Sequence, residues 1–130
     1  MTESIQPAGW PQPRGYSNGT IAQGRFLAVA GQVGWNERGE LVSDDFVEQA
    51  ERALRNVVAV VAAAGGTPQH VVRLTWYVTD KERYRASERA LGKAYRAVFG
   101  VHFPAMTLVE VRGLLEDRAL VEIEATAVLP

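Results

Sequence analysis

The segment Ala119-Leu120-Val121-Glu122-Ile123-Glu124-Ala125-Thr126-Ala127-Val128-Leu129 alternates without a break. In a β-strand successive side chains point to opposite faces, so Val121, Ile123, Ala125, Ala127 and Leu129 share one side and Leu120, Glu122, Glu124, Thr126 and Val128 the other. The first side is wholly apolar and needs cover from the rest of the chain. The second mixes carboxylates with apolar groups. Upstream, Val71 to Val78 is β-branched and aromatic and predicts a second strand, and about Ala105 to Val111 a third.

Between these strands the periodicity changes. Phe46, Ala50, Ala53, Leu54, Val57, Val61 and Ala64 recur at helical spacing, with Ser43, Asp44 and Asp45 as caps and Gly65-Gly66 as a stop. Thr79-x-x-Glu82 resembles a capping box and opens a second helix that carries Tyr84, Leu91, Tyr95 and Val98 and stops at Gly100. Toward the N-terminus, Pro7, Pro11 and Pro13 with Gly9 and Gly15 exclude regular helix or central strand over residues 7–15, which reads as an extended arm. Gly19 to Ala22 and Arg25 to Ala30 flank the short turn Gln23-Gly24 and predict a hairpin ending at Gly31; Asn36-Glu37-Arg38-Gly39 supplies a turn before the first helix.

The resulting order is β-β-α-β-α-β-β in one domain, residues 1–130. It predicts an α+β fold with a single mixed sheet and both helices on one face. The opposite face, carrying Leu120, Val128 and Tyr77, is an unfavourable surface to leave in water, and an oligomer is the simplest cover.

Composition removes several functions. With 130 residues, 14 Lys+Arg, 15 Asp+Glu and no basic run, the chain lacks the clustered cations that a phosphate-backbone binder needs, so nucleic acid is not an expected partner. The absence of cysteine excludes disulfides and thiolate chemistry, and His70 and His102 are too few to hold a transition metal, so no cofactor is expected. No apolar stretch approaches the ~18 residues of a membrane span, and MTESIQPAGW lacks the features of a signal peptide; a cytoplasmic protein with no membrane association is expected. Phosphate-loop and dinucleotide motifs are missing, Lys81 and Lys93 sit among polar neighbours, and serines 4, 17, 43 and 87 lack a nucleophile context, which disfavours covalent catalysis.

Across nearly its whole length the chain resembles the RidA/YjgF family of small trimeric proteins. The resemblance rests on Gly15-Tyr16-Ser17, Ala28-Val29-Ala30-Gly31-Gln32, Gln49 and Asn56 on the first helix, Ala64-Gly65, Tyr77-Val78-Thr79-Asp80, Phe103-Pro104-Ala105 and Val121-Glu122-Ile123-Glu124-Ala125, in that order. It implies the fold of the trimeric bacterial chorismate mutases, a homotrimer with clefts between subunits. Active members hydrolyse reactive enamines and imines, releasing ammonia and a keto acid. In them Pro-Ala is followed by an arginine whose planar fork grips the substrate carboxylate. Here that position is Met106, flexible and uncharged, and the usual 2-imino acid deaminase activity is expected to be absent. Ala30 also departs from the hydroxyl residue of many relatives.

The resemblance assigns Glu122 the catalytic role of positioning water, and a partly buried carboxylate can have its pKa raised for such work. Tyr16, Gly31, Gln32, Ala105, Met106 and Thr107 are the expected cleft residues. Glu88 lies near a position where some relatives supply an asparagine from the neighbouring subunit. Trp35 either walls the cleft or anchors an interface; Tyr16 equally suits packing of the proline arm. Trp76 reads as core, Trp10 as a pin for the arm, His102 as a packed or solvated residue and Glu124 as structural. Arg14 and Arg112 are candidates to replace the missing grip. The expected function is binding of a small enamine, imine or related unsaturated organic metabolite between subunits, with hydrolysis as one form and binding without catalysis as the alternative.

Overall fold

The computed structural model of the chain describes residues 2–130. Its strands are β1 Glu3–Ile5, β2 Gly19–Ile21, β3 Arg25–Gln32, β4 Val71–Val78, β5 Ala105–Glu110 and β6 Val121–Leu129, and its helices α1 Phe46–Ala63, α2 Lys81–Ala86 and α3 Glu88–Phe99. The main sheet runs β3-β6-β4-β5, with β6 antiparallel to both neighbours and β4 parallel to β5. A parallel pair cannot be joined by a tight turn, and α2 and α3 provide the crossover. The fold is α+β with helices on one sheet face, as the patterning implies.

Strand β6 carries the alternation into space: Val121, Ile123, Ala125, Ala127 and Leu129 are all buried, while the residues between them are half-buried or exposed. Helix α1 covers them, burying Phe46, Ala50, Ala53, Leu54, Val57 and Val61 against β6, β3 and α3. Asp45 caps α1 by accepting from the Glu48 N–H at 3.0 Å, and the N–H groups of Gly65 and Gly66 bond back to Ala62 and Val61 at its end. Full burial of one such aliphatic side chain is worth about 1.5–3 kcal/mol, so this layer supplies much of the stability.

The buried amide of Gln49 ties the layers together. Its Nε2 donates to the carbonyls of Ser43 (2.9 Å) and Arg118 (3.2 Å), and its Oε1 accepts from the Leu120 N–H (2.8 Å). A Cβ on Gly34 would lie 2.7 Å from Gln49 Cα, so the chain leaving β3 can approach α1 this closely only with glycine there.

Three expectations are corrected. The hairpin across Gln23-Gly24 does not form: β2 pairs with β1, which the patterning did not anticipate, in a separate two-stranded ribbon, and β3 pairs with β6. Strand β6 offers β3 a long ladder together with apolar cover, which a three-residue β2 cannot match. Residues 7–15 are the irregular connection between β1 and β2, and Trp10 is 58% exposed. The second helix is broken at Ser87 into α2 and α3. Asp80 rather than Thr79 caps α2, accepting from the N–H groups of Glu82 (3.0 Å) and Arg83 (3.2 Å), while the Thr79 N–H donates to the Leu120 carbonyl and so continues the pairing with the end of β6.

The other sheet face carries rows set by register: Val109, Tyr77 and Glu122; Thr107, Thr75 and Glu124; Val128 opposite Phe26, which is 72% exposed.

Candidate functional site

A cleft of about 520 Å³ opens on the helix-covered side of the sheet, between α3, the β4–β5 edge and the segment Arg14-Gly15-Tyr16. Its floor is Leu74, its register partner Met106, and Trp76. Tyr84, Leu91 and Tyr95 form the helical wall, and Arg14, Tyr16, Glu88 and Arg96 bring the polar groups. Of the residues singled out by sequence, Arg14, Tyr16, Trp76, Glu88 and Met106 therefore meet here.

Each wall has a local cause. The Arg14–Tyr16 segment is held because Ser17, the residue after it, bridges to Ala105: its N–H donates to the Pro104 carbonyl (3.1 Å), its hydroxyl bonds the Phe103 carbonyl and lies 2.9 Å from the Ser4 hydroxyl. Tyr95 stacks between Phe99 (5.0 Å between ring centres) and Phe103 (5.3 Å), and its hydroxyl donates to the His102 carbonyl at 2.6 Å. Burial drives the Tyr95 phenol well above its ordinary range. Tyr84 meets Trp76 edge to face at 6.1 Å, and its phenol is pushed up by burial and then by the nearby Glu88 charge. Trp76 is core, as expected, and also cleft floor; its buried indole N–H has no hydrogen-bond partner among the described residues.

Arg96 and Tyr95 are cleft residues that sequence reasoning missed in that role. The available signal was Gly92, a glycine inside a helix with arginine four residues later. A Cβ on Gly92 would lie 3.2 Å from the Arg96 guanidinium, which folds back along α3 over this gap. Among the described residues, neither Arg14 nor Arg96 forms an ion pair.

Glu122 lies on the opposite sheet face, beside Tyr77 in the ladder. Gly31 makes room for it: a Cβ there would sit 2.0 Å from Glu122 Oε2. Desolvation, followed by the charges of Glu124 and Glu122, raises the Tyr77 phenol above its ordinary value. Ala105 and Thr107 share this face with Glu122, Thr107 exposed. One copy of the chain thus separates the catalytic candidate from Met106 by the thickness of its sheet.

Gln32 and Trp35 join neither group. Gln32 ends β3 and Trp35 lies in the turn after it; Gln32 Oε1 accepts from the Trp35 indole at 3.4 Å, and Arg52 and Asn56 hold the Trp35 carbonyl. Arg112 is exposed beyond β5 and does not line the cleft, whereas Arg14 does. His102 Nε2 lies 2.7 Å from the Val71 carbonyl, a packing role. No helix among the described residues is long and apolar enough to cross a membrane.

The family model described as endoribonuclease L-PSP matches residues 10–129. A RutC family protein of Pyrococcus horikoshii is 34% identical, with 98% of each chain covered. The Escherichia coli K12 protein named 2-iminobutanoate/2-iminopropanoate deaminase is 32% identical over 98% of each chain. The crystal structure of YyfB from Yersinia pestis, of the conserved Rid protein family, superposes with a TM-score of 0.88 at 35% identity, covering 98% of both chains.

Proposed function

Because the chain belongs to the RidA/YjgF family, we propose that it binds and hydrolyses a small enamine, imine or related unsaturated metabolite at clefts between the subunits of a homotrimer, and that short 2-imino acids are not its substrates. The observation that carries the reading is Met106: an uncharged side chain stands on the apolar floor beside Leu74, at the position from which active relatives present a carboxylate-gripping arginine.

The placement of Glu122 supports the inter-subunit part. Glu122 and Met106 face opposite sides of one sheet, so a cavity containing both needs a second copy. Exposed Phe26 and Val109 on the sheet face of Glu122 give that copy apolar surface to cover. Light scattering is expected to return about three times the 14.2 kDa chain mass; a monomer would remove the shared cleft.

In the reaction, Glu122 orients a water and accepts its proton as the oxygen attacks the C=N carbon. That proton passes to the imine nitrogen to give a neutral amino alcohol; Glu122 then takes the hydroxyl proton and delivers it to the amino nitrogen as the C–N bond breaks, leaving ammonia and a carbonyl compound, and an enamine enters this sequence as its imine tautomer. Gly31 matters because a side chain there would displace the carboxylate. Freshly generated 2-aminoacrylate should release no ammonia above a buffer control, and robust turnover would refute the role given to Met106. Against a panel of larger imines, Glu122→Gln and Gly31→Ala should each abolish turnover without changing the oligomer; unchanged kinetics would remove Glu122 from the mechanism. Met106 also favours a second reading, binding without catalysis, in which ligands bind and are recovered unaltered.

A further inference from the structure

We propose that the helix-face cleft holds a carboxylate with an aromatic body, gripped from helix α3 and the N-terminal segment by Arg96 and Arg14 in place of a cation on strand β5. The proposal rests on reading this cleft as the ligand site and adds the class of ligand.

Charge gives the first argument. Two guanidiniums and one carboxylate, Glu88, line the cleft, and neither guanidinium is neutralised by an ion pair among the described residues. The balance favours an anion, and a planar fork suits a carboxylate. Both arginines are exposed in the free protein, where water screens them; a ligand that covers them excludes that water and strengthens the contact.

The second argument is Gly92. In a helix interior glycine costs about 1 kcal/mol relative to alanine. The gap it leaves is filled by the Arg96 guanidinium, 3.2 Å from where a Cβ would stand, and both residues line the cleft.

The remaining surface selects the body of the ligand. Trp76, Tyr84 and Met106 offer flat and polarizable apolar contact, favourable to an aromatic ring. The cleft volume of about 520 Å³ is roomy for a three- or four-carbon acid and falls in the range that takes larger ligands.

Calorimetry with the full-length protein, using phenylacetate and the neutral isostere phenylacetamide, tests the grip. Phenylacetate is expected to bind about tenfold more tightly than the amide. Arg96→Gln and Arg14→Gln should each weaken phenylacetate and leave phenylacetamide unchanged. Unchanged phenylacetamide binding in the arginine variants separates a lost grip from a lost fold. Equal affinity for the two probes, or full phenylacetate binding by the double arginine variant, overturns the proposal. Imine turnover without binding of either probe also overturns it and leaves the proposed function standing; phenylacetate binding without turnover of any imine supports it and removes the hydrolase reading.

Discussion

Gln49→Leu tests how the sheet that carries Glu122 is held. The substitution keeps approximately the side-chain volume, so little cavity is created, but it strips three backbone groups of their partners: the Leu120 N–H and the carbonyls of Ser43 and Arg118. Gln49 is fully buried, and Leu120 immediately precedes β6. A buried donor left unsatisfied costs about 1–3 kcal/mol. The carbonyls tolerate the loss better, Ser43 being only half-buried, and the added leucine methyls return part of the cost. The expected net loss is about 3 kcal/mol. With a urea slope of about 1–3 kcal/mol/M, the midpoint should fall by about 1–3 M with the slope unchanged. Protein concentration must be held fixed, since assembly adds to apparent stability. A loss below about 1 kcal/mol would refute the reasoning and show that the amide merely fills space.

Gly34→Ala places a Cβ 2.7 Å from the Gln49 backbone, which cannot rotate away; a loss of at least about 1–3 kcal/mol is expected by thermal melting, and an unchanged melting temperature would contradict the close approach. Phe99→Ala removes a side chain 1% exposed and stacked on Tyr95; it should cost about 3–5 kcal/mol by denaturant titration and bring the Tyr95 phenol down toward its ordinary titration range in an absorbance titration. Alkaline pH should destabilise the wild type. Tyr95 and Tyr84 have raised pKa values when folded, so above about pH 10 the unfolded chain releases phenolic protons that the native state retains, and stability falls as pH rises through the folded values. Melting temperatures that are flat from pH 9 to pH 11 would contradict this.

Much of the fold was readable from local pattern. The alternation in β6, the stripe on α1 and the β-branched run of β4 each state which side is covered, and in all three the burial follows the pattern. Strand pairing was less legible: Gln23-Gly24 looks like a hairpin turn, yet the choice between β2 and β6 as partner of β3 depends on surface contributed from the far end of the chain. The break at Ser87 escaped notice because Tyr84 and Leu91 fit one helical stripe even though they lie on separate helices.

Within the candidate site, the residue types were visible and their grouping was not. Sequence alone determined that a methionine follows Pro104-Ala105, that glutamates alternate with apolar residues in the last strand, and that one face of that strand seeks cover. Those facts follow from side-chain chemistry and a two-residue period. Only the tertiary structure decided that Met106 looks toward the helices while Glu122 looks away, since that depends on register across β5, β4 and β6. It likewise decided that Arg14 and Arg96, far apart in the chain, border one cleft. Side-chain direction along a strand is a local property; which distant side chains share a cavity is set by how the elements pack.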